Sequence, residues 1–230
     1  MIFRSFLTQC LFLLLTLGNA NANEQLDFNI LFANNKIGTI AVSMRIQTPM
    51  EFISVSGNVG TYPIQFLSNQ FEGVSETSMD GSKGQSSYYS FKKNNFKARS
   101  IKFETTSGVL TKIDVDPPTE GTELSSIEFD HPEFINPAIA FIKLLRFPCS
   151  GSFNIFDGRR IAEVTPKHSA SPLSCKYFYK VSSGPGHLKP FSFRKIDILV
   201  ERDSKEEEIA QRLIANSSLF DITIIDNFTE

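Results

Sequence analysis

The densest chemistry in the chain is the run Phe156-Asp157-Gly158-Arg159-Arg160. A guanidinium offers a planar fork of N–H donors that matches a carboxylate or a phosphate. Asp157-Gly158 is also the strongest short hairpin signal in the sequence. Gly158 tolerates positive φ, and Asp157 can bond its own backbone two residues on. In a strand starting at Arg159, neighbours face opposite sides, which places one Arg against the sheet's inner face and the other in solvent. Two readings follow. One is a hairpin turn with an Arg paired to a carboxylate. The other is an Arg that contacts an anionic group, such as a lipid phosphate or a partner's carboxylate.

Other reactive side chains stand apart. His131 lies in the acidic-flanked stretch Phe129-Asp130-His131-Pro132-Glu133. A lone loop imidazole is a solvated group or a general base. Ser183-Gly184-Pro185-Gly186-His187 is Gly-rich but lacks the Lys and following helix of a phosphate loop. Glu206-Glu207-Glu208 reads as a solvated turn. No G-x-S-x-G, H-E-x-x-H or G-x-G-x-x-G pattern occurs. With no nucleophile–base set, a non-enzyme is expected, with no cofactor. His131, His168 and His187 are too scattered to complete a metal set, so no metal is expected either.

Composition narrows the class. The 230 residues are 41% hydrophobic with a formal net charge of -2, unlike a disordered chain or a basic nucleic-acid binder. Met1 to Ala22 reads as a secretory signal peptide: Arg4, a mostly apolar run from Phe6 to Leu17, then Ala20-Asn21-Ala22. The run is short for a membrane anchor, which needs roughly 20 residues. Cleavage before Asn23 leaves one domain, residues 23–230. Cys10 departs with the leader, and Cys149 and Cys175 remain. An even pair in an exported protein suggests one disulfide; two buried thiols or a metal pair are the rivals. Of 22 Phe, 19 lie beyond Ala22 and either fill a core or line an apolar groove.

The elements that must position these residues read mostly as strands. Leu26 to Phe32, Ile40 to Ile46, Phe52 to Val55, Ser87 to Lys92, Lys97 to Thr105 and Val109 to Val115 are candidates in the first half. Ser152 to Phe156, Arg159 to Thr165, Leu173 to Val181 and Phe193 to Glu201 follow. Asn34-Asn35-Lys36 and Asp80 to Gln85 read as turn and loop, and Pro117-Pro118 as a stop. Tyr62 to Gly73 has helical spacing and predicts a short helix. The clearest helix opens with Asn136 as cap and Pro137 at its first position, and is apolar nearly all round to Leu145. Such a helix should be buried. Asp203 to Ala215 fits either a helix, with Ser204 and Glu207 as a capping box, or a strand.

The order Asn136-Pro137-Ala138, Pro148-Cys149, Phe156 to Arg160, then Cys175 and Tyr177 resembles domain-of-unknown-function family 3108 of exported bacterial envelope proteins. Lys36 to Ile40 is similar to that family's first hairpin, and Asn136 replaces its usual Asp. The resemblance implies a mainly β fold: a curved antiparallel sheet around one buried helix, similar to the open half-barrels of periplasmic lipoprotein and lipid carriers. It implies that Asp203 to Ile225 forms a last hairpin. It also implies a periplasmic protein, peripheral to the membrane at most. Two functions fit. The first is a protein binding a lipid or acylated ligand on the concave face. The second is an assembly factor that binds another envelope protein. No nucleic-acid partner is expected.

Overall fold

The computed structural model describes residues 23–60, 69–92, 97–168, 171–185, 194–217 and 221–227. The leader therefore lies outside the described residues. One antiparallel sheet holds thirteen strands. They are β1 (Asn23–Phe32), β2 (Asn35–Gln47), β3 (Met50–Val59), β4 (Asn69–Ser78), β5 (Lys83–Lys92), β6 (Lys97–Thr106) and β7 (Val109–Asp116). After the connection come β8 (Phe153–Phe156), β9 (Ile161–Lys167), β10 (Ser174–Ser183), β11 (Lys195–Glu201), β12 (Arg212–Asn216) and β13 (Asp221–Asp226). Each pairs with its neighbour in sequence, except that β1 pairs with β13 and β7 does not pair with β8. Two meanders are thus joined through their outer strands. The sheet curves but does not close, and its open seam lies between β7 and β8.

Period-2 patterning sets the inner face. Ile40, Val42 and Met44 are buried while Thr39, Ser43 and Arg45 are exposed. The register carries that choice across the sheet: Met44 opposes Ile53, and Val42 opposes Val55. A slip of one residue would expose the whole apolar set. The turn before β2 is Ala33-Asn34, both at positive φ, one residue earlier than the sequence suggests.

The concave face is filled by helix α1 (Pro137–Leu145). Ala138, Ala140, Ile142, Leu144 and Leu145 are buried in one cluster or beside it, and Phe28 meets Phe141 edge to face at 6.2 Å between centroids. Asn136 caps the helix: its Oδ1 accepts from Ile139 N at 3.0 Å, and its Nδ2 donates to buried Ser75 at 2.8 Å. Asn136→Ala removes both bonds and leaves Ser75 without that partner. The expected cost is about 1–2 kcal/mol, read as a lower denaturant midpoint at unchanged slope.

The predicted helix over Tyr62–Gly73 is corrected where it is described: residues 69–73 belong to β4. Strand pairing with β3 overrides the local spacing. Gly73 does not stop a helix. A Cβ there would lie 4.0 Å from Ala138 Cβ, so this glycine sits under the first turn of α1. The described helical element besides α1 is a 3₁₀ turn, Pro118–Glu120. β5 begins at Lys83, inside the segment read as loop.

The last hairpin forms as the resemblance implies, but its first strand starts at Arg212 rather than Asp203. Half of the capping box exists: Glu207 Oε2 accepts from the backbone of Asp203 and Ser204 at 3.0 and 3.1 Å. The chain then forms no helix because its backbone serves α1. Ala210 N donates to Leu145 O at 2.8 Å, Phe147 N donates to Glu208 O at 2.8 Å, and Ile209 bridges Arg146. The carbonyls left over at a helix end need such partners.

Candidate functional site at the sheet seam

The two ends of the curved sheet meet without a hydrogen-bonded ladder. What joins them is a second apolar cluster: Ile101 and Phe103 of β6, Leu110 of β7, Phe156 of β8, Ile161 of β9, and Leu124 from the connection. Phe156 is fully buried, with Phe103, Phe134 and His131 around it at 5.5, 5.0 and 4.7 Å between centroids. The free edge of β8 is covered by Ile135, which pairs in parallel with Ile155.

The Phe156-to-Arg160 run forms the hairpin tip at this seam. Asp157 Oδ1 accepts from the backbone of Arg159 at 3.0 Å and Arg160 at 2.9 Å, an Asx turn. Gly158 has φ +85, and a Cβ there would sit 2.3 Å from Ile101 Cγ2. Glycine is needed on both counts. The return strand starts at Ile161, so Arg159 and Arg160 belong to the turn. The expectation that they point to opposite faces fails for that reason. Both point at carboxylates instead.

Arg159 Nη2 lies 3.3 Å from Glu120 Oε2, and its Nε donates to Glu120 O. Arg99 donates to the same Oε2 through Nη2 at 2.5 Å and Nε at 3.1 Å. Burial, assisted by the nearby Arg99 charge, pulls the Arg159 guanidinium below its ordinary value. Arg160 is buried, with Nε 2.8 Å from Asp157 Oδ2. That N–H does not point along the contact, so Nε is ion-paired without a hydrogen bond, and Nη1 is buried without a hydrogen-bond partner. Connection hydroxyls complete the clasp: Ser125 donates to Gly158 O at 2.6 Å and Thr122 to Arg159 O at 3.0 Å.

Chemically, Glu120 clasps Arg99 and Arg159 across the seam, and Arg160 pairs with Asp157 within the turn. Glu120→Gln leaves Arg99 and Arg159 facing each other without their shared carboxylate. All three groups keep some solvent contact, so the expected loss is about 1–2 kcal/mol. The gap to the unaltered protein should narrow in roughly 1 M salt, where screening acts within about 3 Å. Unfolding curves at low and high salt check both parts. Sequence reasoning picked Arg159 and Arg160 but missed Glu120, Arg99, Thr122 and Ser125. These are ordinary polar residues in a strand and a connection, and only the curl of the sheet brings them together.

His131 is half-buried and both of its ring nitrogens are engaged. Its Nδ1 lies 2.8 Å from Phe129 O and its Nε2 3.0 Å from Leu124 O. Phe129, Phe134 and Phe156 contact its ring edge to face. A ring so engaged pins the connection to the seam. Among the described residues no three His, Cys, Asp or Glu side chains could hold one metal ion.

Cys149 and Cys175 form a disulfide with Cα atoms 5.6 Å apart. Cys175 is fully buried on β10, and Cys149 is exposed on the strap after α1. Ser150 beside it donates its N–H to the buried Tyr177 hydroxyl at 2.9 Å. The strap is therefore fixed to β10 twice.

Two hollows of about 420 and 350 Å³ lie on the outer face. Glu76, Gln85 and Glu104 line the first; Thr39, Ser56 and Glu72 line the second. All six alternate with inward residues. No described helix is long and apolar enough to cross a membrane.

No family profile matches the chain. No curated protein matches it either. Among solved structures it is similar to a β-barrel-like protein of domain-of-unknown-function family DUF1849 from Brucella abortus. The two share 10% identity over 90% of this chain and 95% of that one, with a TM-score of 0.49. The fold stated for this chain is the curved, unclosed antiparallel sheet that its own strand pairing defines.

Proposed function

We propose that the chain is a non-enzymatic envelope protein that acts through its outer surface, as an assembly or structural factor bound to another envelope protein. The observation that carries this reading is the filled concave face. Helix α1 occupies it, and Phe28, Phe103 and Phe156 are 1%, 3% and 0% exposed. These three aromatics are spent on packing. Both hollows described above open outward. The disulfide suits an oxidising compartment, and the leader sequence suits export, so the periplasm is the proposed location. The motif resemblance to family 3108 fits an exported envelope protein, without choosing between a carrier and an assembly factor.

The seam arginines fit this role as the clasp that keeps the sheet curled, each already facing a carboxylate. Native mass spectrometry of the exported protein tests the reading. It should show the bare polypeptide with its disulfide. A lipid retained at one per chain would overturn it in favour of a carrier.

A further inference from the structure

The sheet ends in two edge strands, β7 and β8, and the chain treats them differently. The edge of β8 is covered: Ile135 N donates to Asn154 O at 2.9 Å, and Phe156 N donates to Ile135 O at 3.0 Å. The edge of β7 is bare. Among the described residues, no backbone hydrogen bond of Thr111 to Val115 leads anywhere but to β6. The seam contacts do not occupy that edge. Phe156 meets Phe103, and a Cβ on Gly158 would meet Ile101. Both are buried residues of β6, one strand in from the edge. The β8–β9 tip therefore packs against the inner face and leaves the rim of β7 open.

A bare edge is a template for an extended strand. The side chains of β7 say which strand fits. Past the register shift beside Glu104, Ile113 and Val115 are half-buried against the seam cluster, and Lys112 and Asp114 are exposed on the other face. Antiparallel pairing with β7 of a second copy, two-fold about Ile113, sets Lys112 against the partner's Asp114 and Asp114 against the partner's Lys112. Within each copy Lys112 already opposes Glu104, 3.1 Å away, and Asp114 opposes Lys102. The outer row across the junction then reads Glu104, Lys112, the partner's Asp114, the partner's Lys102, alternating in sign at every step. On the inner face Ile113 meets the partner's Ile113. Neighbouring registers fail. A shift of two residues sets Lys112 against Lys112 or Asp114 against Asp114, and a slip of one sets Ile113 beside a charge. Charges on an edge strand ordinarily ward off pairing. Here they select one register of self-pairing.

We infer that β7 is a self-association edge: two copies join β7 to β7, antiparallel, and the sheet of one continues into the other as a two-fold dimer. The matched run, Thr111 to Val115, is short, so the dimer forms and dissolves with protein concentration. The inference is independent of the reading above, in which the partner is a different protein.

Sedimentation equilibrium of the exported, disulfide-bonded protein over a wide range of concentration tests it. The unaltered protein should pass from monomer to dimer. Lys112→Asp alone, or Asp114→Lys alone, sets like charges together at both crossings and should weaken self-association at least ~10-fold. Mixed one to one, the two variants face each other with opposite charges at both crossings and should recover most of the lost association. Melting curves check that each variant is folded, since a reversed charge on an exposed strand costs little. A monomer at every concentration overturns the proposal. So does a dimer that both single variants leave intact, and so does a loss that the mixture of folded variants fails to restore.

Discussion

Phe156→Ala should destabilise the fold by about 3–5 kcal/mol, the range for truncating a fully buried Phe. For a domain of this size that lowers the melting temperature by roughly 10–15 °C. The reason is local to the seam. Elsewhere neighbouring strands are held by a ladder, but β7 and β8 are not paired. The seam relies on packing, and Phe156 is the ring that Phe103, Phe134 and His131 share. Its loss leaves a cavity whose walls come from both sheet ends and the connection. Edge-to-face pairs add about 0.5–1.5 kcal/mol each beyond the area buried. Phe156→Leu keeps most of the volume and should cost markedly less. A loss below about 1 kcal/mol for the Ala variant would mean that the cluster does not hold the seam.

The second large effect concerns the disulfide. Cys149 and Cys175 are 26 residues apart in sequence. Freeing a loop of that length costs about 3 kcal/mol in the chain-entropy view. Cys149→Ser combined with Cys175→Ala should show that loss, since Ala avoids burying a hydroxyl where Cys175 sits at 0% exposure. Reducing the unaltered protein should give a similar loss, because Cys149 is exposed to a thiol reagent. The reduced protein should still fold. Ser150 remains bonded to Tyr177, and Leu145 O remains bonded to Ala210 N. Equal stability of oxidised and reduced protein, measured by equilibrium unfolding, would contradict this.

What was legible in the sequence follows the range over which each signal acts. The alternation from Ile40 to Met44 is local, and so the strand and its inner face were readable. The cap at Asn136 and Pro137 is also local, and α1 starts there. Asp157-Gly158 marked its turn, because an Asx bond and a positive φ involve only neighbours. The misreadings have the opposite character. Residues 69–73 carry helical spacing, yet they pair with β3, whose register was fixed by residues far away. The capping signal at Ser204 and Glu207 formed its bonds, but the next residues were claimed by the end of α1. Strand boundaries at Arg159 and Asp203 shifted because the turns there bond to side chains and not to a ladder.

The seam shows the same division. The arginines announced themselves, while Arg99 and Glu120 did not. No single-sequence pattern links positions 99, 120 and 159; the curl of thirteen strands does. The setting of His131 was hidden for a similar reason. Its two carbonyl partners and three aromatic neighbours come from the folded connection and from β8.

The proposed role on the outer surface depends on helix α1 filling the concave face. Hydrogen exchange of the α1 amides, Ala140 to Arg146, tests it most directly. A closed face predicts exchange only with global unfolding, at a rate unchanged by added fatty acid or lysophospholipid. Exchange through a much easier local opening, slowed when lipid is added, would contradict it and make the helix a displaceable lid over a binding groove.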